Sequence, residues 1–179
     1  GNLAEPVPPP VPDLIQGGDQ VFAYLIRPDE QCDCPEGFVQ FQNVRMWLHF
    51  DSWMIPQNFV VHAGLRRAFW NPDFDRWEPD PNYLYESYDV QAEVFDPGPF
   101  VLEIPTPNAR WIDIHRYYFL TVTFRSPLVA NLLGDGLDLP GIAYVSPDGG
   151  DSWMDLYGPD KTSGGKPIIW GDVLCGAFD

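Results

Sequence analysis

The sequence predicts an all-β protein, an antiparallel two-sheet sandwich of jelly-roll type with eight or nine strands. Three observations predict it. Aromatic and β-branched residues alternate with polar ones in short runs from Gln20 onward; Gly, Pro, Asn and Asp bound these runs; and no stretch sustains a helical period. The 20 prolines and 16 glycines suit the many turns of such a fold. At 179 residues the chain is one domain, large enough to bury a substantial core.

Residues 1–19, with Pro6, Pro8, Pro9, Pro10 and Pro12 ahead of Gly17 and Gly18, read as an extended proline-rich arm or linker preceding a domain at 20–179. Its aliphatics Val7, Val11, Leu14 and Ile15 fit an added strand docked on a neighbouring subunit. Val21 to Ile26 is the first strand. Phe38 to Phe50 is a long one whose apolar parity switches: Val39 and Phe41 lie on odd positions, Val44, Met46, Leu48 and Phe50 on even ones, so a bulge near Gln42 and Asn43 keeps both sets inward. Phe59 to Phe69 places Phe59, Val61, Ala63, Leu65 and Phe69 on one face and His62, Arg66 and Trp70 on the other. Ser87 to Phe95 sets Tyr88, Val90, Ala92 and Val94 together. Val101 to Ile104 is a short edge strand stopped by Pro105 and Pro107. Arg116 to Phe124 is apolar on both faces, which places it centrally. Gly141 to Val145 and Ser152 to Tyr157 form a hairpin, and Pro167 to Leu174 closes the domain.

The turn of that hairpin, Ser146-Pro147-Asp148-Gly149-Gly150-Asp151-Ser152-Trp153, has the spacing S-x-D-x-G-x-[ST]-W and resembles an Asp-box, here present once. The resemblance implies a structural role: Asp148 caps the turn through backbone amides, Gly150 takes a positive φ, and Trp153 pins the second strand to the core. It also implies an exported β protein. Three further segments are similar to uncharacterised β modules of bacterial secreted and surface proteins: Cys32-Asp33-Cys34-Pro35-Glu36-Gly37-Phe38, Ala68-Phe69-Trp70-Asn71-Pro72 leading to Trp77, and Ile168 to Cys175. That likeness implies a surface-exposed β domain and carries no catalytic residue with it. Such modules have additional paired cysteines, which this chain lacks.

Charge narrows the partners. With 26 acidic and 10 basic side chains the net charge is −16, which repels phosphate backbones and anionic membrane surfaces, so neither nucleic acid binding nor membrane insertion is expected. No segment is long and apolar enough for a bilayer helix. The opening at Gly1 and the paucity of lysine (Lys161 and Lys166) fit mature exported material. Cys32 and Cys34 are too close to bridge each other without strain, so one of them pairs with Cys175.

No catalytic site stands out. His49, His62 and His115 share no ligand spacing and read as strand histidines beside outward polar residues; no G-x-S-x-G or phosphate-binding glycine loop is present. The densest candidate is Trp70, Phe74 and Trp77 with Asp73, Asp75, Glu78 and Asp80, read as a loop mixing ring faces with acids, the chemistry of sugar binding. Asp73, Asp75 and Glu78 are the candidate ligands for a structural calcium; Asp135 with Asp138 and Asp148 with Asp151 are lesser clusters. The leading expectation is therefore a noncatalytic extracellular module acting by association, as a subunit of a surface assembly or an adhesion domain. A carbohydrate-binding module, calcium-assisted, is the alternative, and a glycoside hydrolase with two opposed carboxylates is third.

Overall fold

A computed structural model describes residues 18–32, 34–35, 37–132, 142–155 and 169–176. The proline-rich arm up to Gly17, Asp135, Asp138 and the stretch from 156 to 168 lie outside them. The described chain is almost entirely β, and every strand pair is antiparallel. A seven-stranded sheet runs β12(Met154–Asp155), β11(Ala143–Ser146), β1(Gln20–Ile26), β9(Tyr118–Phe124), β4(Gln57–Asn71), β5(Arg76–Glu86), with β6(Val90–Val94) also paired to β4. In a second sheet β3(Asn43–Phe50) is flanked by β7(Gly98–Pro105), β10(Asn131–Leu132) and β13(Ile169–Trp170); a third joins β2(Phe38–Phe41) to β8(Ile112–Asp113) and β14(Val173–Gly176). The one α-helix among the described residues, α1(Pro28–Gln31), is a single turn opened by a proline.

Fourteen strands among the described residues exceed the eight or nine expected. Two expected strands are each broken in two. The parity switch at Gln42 is met by ending one strand and starting another in a different sheet, which leaves Val39, Phe41, Val44, Met46, Leu48 and Phe50 all buried. The bend is held by Gln42 N–H donating to Asp172 O (2.8 Å) and Gln42 O accepting from Thr106 N–H (3.1 Å). Gly171 and Asp172 break the last expected strand similarly, and Gly171 lies so close to Asn43 O that a Cβ would stand 2.1 Å from it. The third source is β5, read as loop because it carries Pro79, Pro81 and four charges; its prolines are tolerated because it is an edge strand.

The central position of β9 follows from its composition: all seven of its residues are buried, and it pairs with β1 on one side and β4 on the other. One apolar cluster joins the inward faces of the large sheet and the β3 sheet, with Phe50 and Phe59 ring centroids 6.3 Å apart and Phe22 edge-on to Phe124 at 5.8 Å. The opposite face of the large sheet is also covered. There the sheet curls into a half-barrel around Ala23, Phe119 and Tyr144, with Leu25, Ala68, Trp77 and Trp153 against them.

The curl is built into β4 and β5. Their register slips between Leu65 and Arg66 and again between Arg66 and Ala68, and each bulge increases bend and twist. Bulging leaves the Asp80 and Pro81 carbonyls off the ladder; Arg66 Nη1 donates to both, at 2.9 and 3.1 Å. His62 and Arg66, expected on the outward polar face, are thus buried, because Tyr83 folds back over them: its ring lies 4.0 Å below the guanidinium. Tyr83 fits only because residue 64 is glycine, where a Cβ would stand 2.3 Å from the Tyr83 ring and 2.7 Å from Thr121 Oγ1.

β7 borders the β3 sheet and pairs with nothing else among the described residues. Thr106 N–H bonds Gln42 O in continuation of the β3–β7 register, so the even-numbered residues of β7 turn their backbone groups to β3 and the odd ones turn theirs outward. Those outward positions are Pro99, Val101, Glu103 and Pro105; two of the four have no N–H to offer. This is a guarded edge.

The disulfide joins Cys34 to Cys175 across 141 residues, and Cys32 remains a thiol. Replacing Cys34 and Cys175 by Ser is expected to lower the guanidinium-unfolding free energy by up to about 5 kcal/mol, the chain-entropy ceiling for a loop of that size. Gly64→Ala is expected to cost about 2 kcal/mol in the same assay by wedging Tyr83 away from β4, while Gly98→Ala, with nothing near its added Cβ, registers only the strain of its positive φ.

Candidate functional site

The predicted ring-and-acid cluster is not a loop but the tip of the long β4–β5 hairpin. Trp70 is the penultimate residue of β4 and Trp77 lies directly opposite it on β5, as Phe69 lies opposite Glu78. Only Pro72 to Asp75 turn the chain. Asn71 organises that turn: its Oδ1 accepts from Asp73 N–H at 3.0 Å and its Nδ2 donates to Glu78 Oε1 at 2.6 Å. Asp75 closes it in the left-handed region, φ 52°.

The tip is rigid on one side and open on the other. Trp77 packs on Tyr117 with centroids 4.9 Å apart and meets the Trp70 edge at 5.6 Å, while Arg27 caps the row 5.4 Å from the Tyr117 centroid. Arg76 lies 5.0 Å from the Phe74 centroid and 4.9 Å from that of Tyr144, and its Nη2 donates to Trp153 O at 3.2 Å. Tyr144 O–H donates to Trp77 O at 2.8 Å, and burial raises its pKa far above that of a free phenol. The hairpin is therefore fastened to β11 and to Trp153, while Phe69, Trp70 and Phe74 remain 40, 47 and 66 % exposed.

The three proposed calcium ligands do not converge. Glu78 is buried, with Asn71 on Oε1 and Arg76 Nε at 3.5 Å, whereas Asp73 and Asp75 stand exposed on the turn. A cation held by all three would have to displace Arg76, so these residues do not fit the ion. Among the described residues no three His, Cys, Asp or Glu side chains form a metal-binding group.

The turn from Ser146 to Trp153 is a closed hydrogen-bond knot. Asp148 Oδ1 accepts from Ser146 O–H (2.7 Å) and Ser152 N–H (2.9 Å), and Oδ2 from Ser152 O–H (2.6 Å). Gly150 N–H donates to Ser146 Oγ at 2.8 Å, and Gly149 and Gly150 take φ 75° and 103°. Hydrogen bonds from Ser152 and Ser146 hold the Asp148 carboxyl at a pKa of about 2. Trp153 sits half-buried against the second cluster, 5.7 Å from the Arg66 guanidinium. Both carboxylate oxygens of Asp148 accept hydrogen bonds from within its own turn.

Two features escaped sequence reasoning. Arg66 is 2 % exposed and no carboxylate lies within ion-pair range of it among the described residues; its signal was an arginine within an otherwise apolar strand. Trp47 projects from β3 between buried Met46 and Leu48, stacked 6.2 Å from Trp170; its signal was a tryptophan on the polar parity of a strand.

His62 anchors the connection from β5 to β6. Its Nε2 lies 2.9 Å from Glu86 Oε1 and its Nδ1 3.2 Å from Asp89 Oδ1; Arg125 is 3.8 Å from Asp89 and 2.9 Å from Asp19. Ser87 adds two bonds to Ala63, donating from N–H and accepting at Oγ. Burial lowers the His62 pKa, partly countered by Glu86. No known protein family, curated protein or solved structure matches this chain significantly. Because the native state then binds fewer protons than the unfolded chain below its reference pKa of about 6.5, stability is expected to be complete above that pH and to fall on acidification through it. Urea midpoints between pH 7.5 and 5.5 check this, and His62→Gln is expected to flatten the slope.

Proposed function

We propose that the protein is a noncatalytic module that works outside the cell by association with other protein subunits, other copies of itself included, and that the β4–β5 hairpin tip is its contact surface. The observation that carries the reading is the exposure of Phe69, Trp70 and Phe74 on a hairpin whose inner side is locked by Arg76, Trp77 and Glu78. Large rings held rigidly on a braced support lose little conformational freedom on binding, and aromatic residues with arginine dominate interface hot spots. The Cys34–Cys175 disulfide and the charge of −16 fit an oxidising compartment and a partner that is neither nucleic acid nor membrane. The Ser146 to Trp153 turn, read as an Asp-box, is structural in this scheme, and the architecture is read as a sandwich of jelly-roll type elaborated by the half-barrel. The proline-rich arm supplies a second contact.

A carbohydrate-binding role at the same tip is the alternative, favoured by the row Trp70, Trp77, Tyr117. Glycan-array binding that survives chelator and is lost with Trp70→Ala would establish it. Glycoside hydrolysis gains less support, since the Glu78 carboxylate is engaged by Asn71 and Arg76.

Light scattering at rising concentration tests the leading reading. The full chain is expected to self-associate, and both Trp70→Ser/Phe74→Ser and deletion of residues 1–19 to shift it towards monomer. A chain that stays monomeric throughout, unaffected by either change, removes self-assembly from the reading.

A further inference from the structure

The outward face of the β3 sheet carries a second group of aromatic rings and charged side chains. Since Val44, Met46, Leu48 and Phe50 point to the core, Arg45, Trp47 and His49 point away from it. Register places Glu103 and Trp170 on either side of Arg45, Val101 beside Trp47 and Pro99 beside His49. The centre of this face is apolar: the indoles of Trp47 and Trp170 lie 27° from parallel with centroids 6.2 Å apart, and Val101 continues the surface at 37 % exposure.

The rim is polar and fixed in place. Arg45 is held by Asp172 at 2.9 Å and Glu103 at 3.6 Å; Asp172 in turn accepts from Asn43 Nδ2 at 2.9 Å and donates its N–H to Asn43 Oδ1 at 3.1 Å. Both acids remain more than half exposed in their side chains, so their free lone pairs face solvent. At the other end His49 pairs with Asp51 at 3.4 Å.

We propose that this face binds a neutral, extended polysaccharide, the Trp47 and Trp170 rings underlying the C–H faces of sugar rings and the Arg45, Glu103, Asp172 cluster bonding hydroxyls. Three observations select that ligand. Near-parallel rings on a sheet match a ribbon-like chain. The rim holds more acid than base on a molecule of charge −16, which repels uronate or sulfate polymers. The bordering edge offers N–H groups only at Val101 and Glu103, between Pro99 and Pro105, which disfavours a protein strand added beside the face. The inference does not depend on the hairpin reading, since it uses none of the same residues.

Native affinity electrophoresis tests it on the full chain, in gels containing hydroxyethyl cellulose, konjac glucomannan or alginate. Retardation is expected in at least one neutral gel and not in alginate. Trp47→Ala is expected to weaken it by roughly tenfold or more, and so is Val101→Glu, which puts a charge on the platform without touching the core. Thermal melting of both variants separates lost binding from lost folding. Phe95→Ser, which alters an exposed ring outside both surfaces, is expected to be retarded like the wild type. Absence of retardation in both neutral gels, stronger retardation in alginate, unaltered retardation of folded Trp47→Ala and Val101→Glu, or loss confined to Trp70→Ala would each overturn the inference; the last would move the glycan to the hairpin.

Discussion

A buried arginine governs how this chain folds back on itself. Arg66 has no carboxylate partner in range among the described residues; instead its guanidinium is solvated by the Asp80 and Pro81 carbonyls and by the Tyr83 ring face. Such a charge is tolerable only when its surroundings replace water, and each of those surroundings exists because β5 bulges. The bulges release the carbonyls, the release calls for a donor, and the donor's position demands glycine at 150, where a Cβ would stand 2.8 Å from Arg66 Nη2. Glycine 64 and Tyr83 complete the circle from the other side. The half-barrel is thus one cooperative unit, in which a polar network does what apolar burial does in the principal core.

Arginines recur as fasteners elsewhere. Arg76 links the hairpin tip to Trp153, Arg45 links β3 to Asp172, Arg125 links Asp19 to Asp89, and Arg27 binds Asp29 and Glu30 beside Tyr117. Arg76 and Arg125 join segments that no backbone ladder among the described residues connects directly. The planar, multidentate guanidinium suits this work better than an ammonium would. Spending the cations in this way leaves acids to dominate the charge of the molecule, −16 in all.

What could be read from the linear chain was whatever rests on two-residue periodicity. The all-β class, the central β9, the inward set of β3 and the parity switch at Gln42 all follow from side-chain alternation, which burial enforces residue by residue. What escaped was decided by tertiary partners. β5 lacks alternation because its bulges break the period, and its prolines mimic a loop. His62 and Arg66 sit on a face that is polar by sequence and buried by a neighbour's curl. For the candidate site, the rings at 70, 74 and 77 were legible as a cluster, yet the fate of Glu78 was not, because nothing local says that Asn71 and Arg76 will claim its carboxylate. The choice between Cys32 and Cys34 was likewise left to geometry that only the folded chain provides.

The Cys34–Cys175 bridge also sets how the molecule bears mechanical load. Tension applied along the polypeptide passes from residue 34 to residue 175 through a single covalent link, so the loop closed across that sequence separation of 141 cannot lengthen while it holds. Among the described residues ahead of Cys34, and so outside that loop, β1 is hydrogen-bonded along both edges, to β9 and β11. Tension entering from that side must shear or unzip this inner strand before it reaches the bridge.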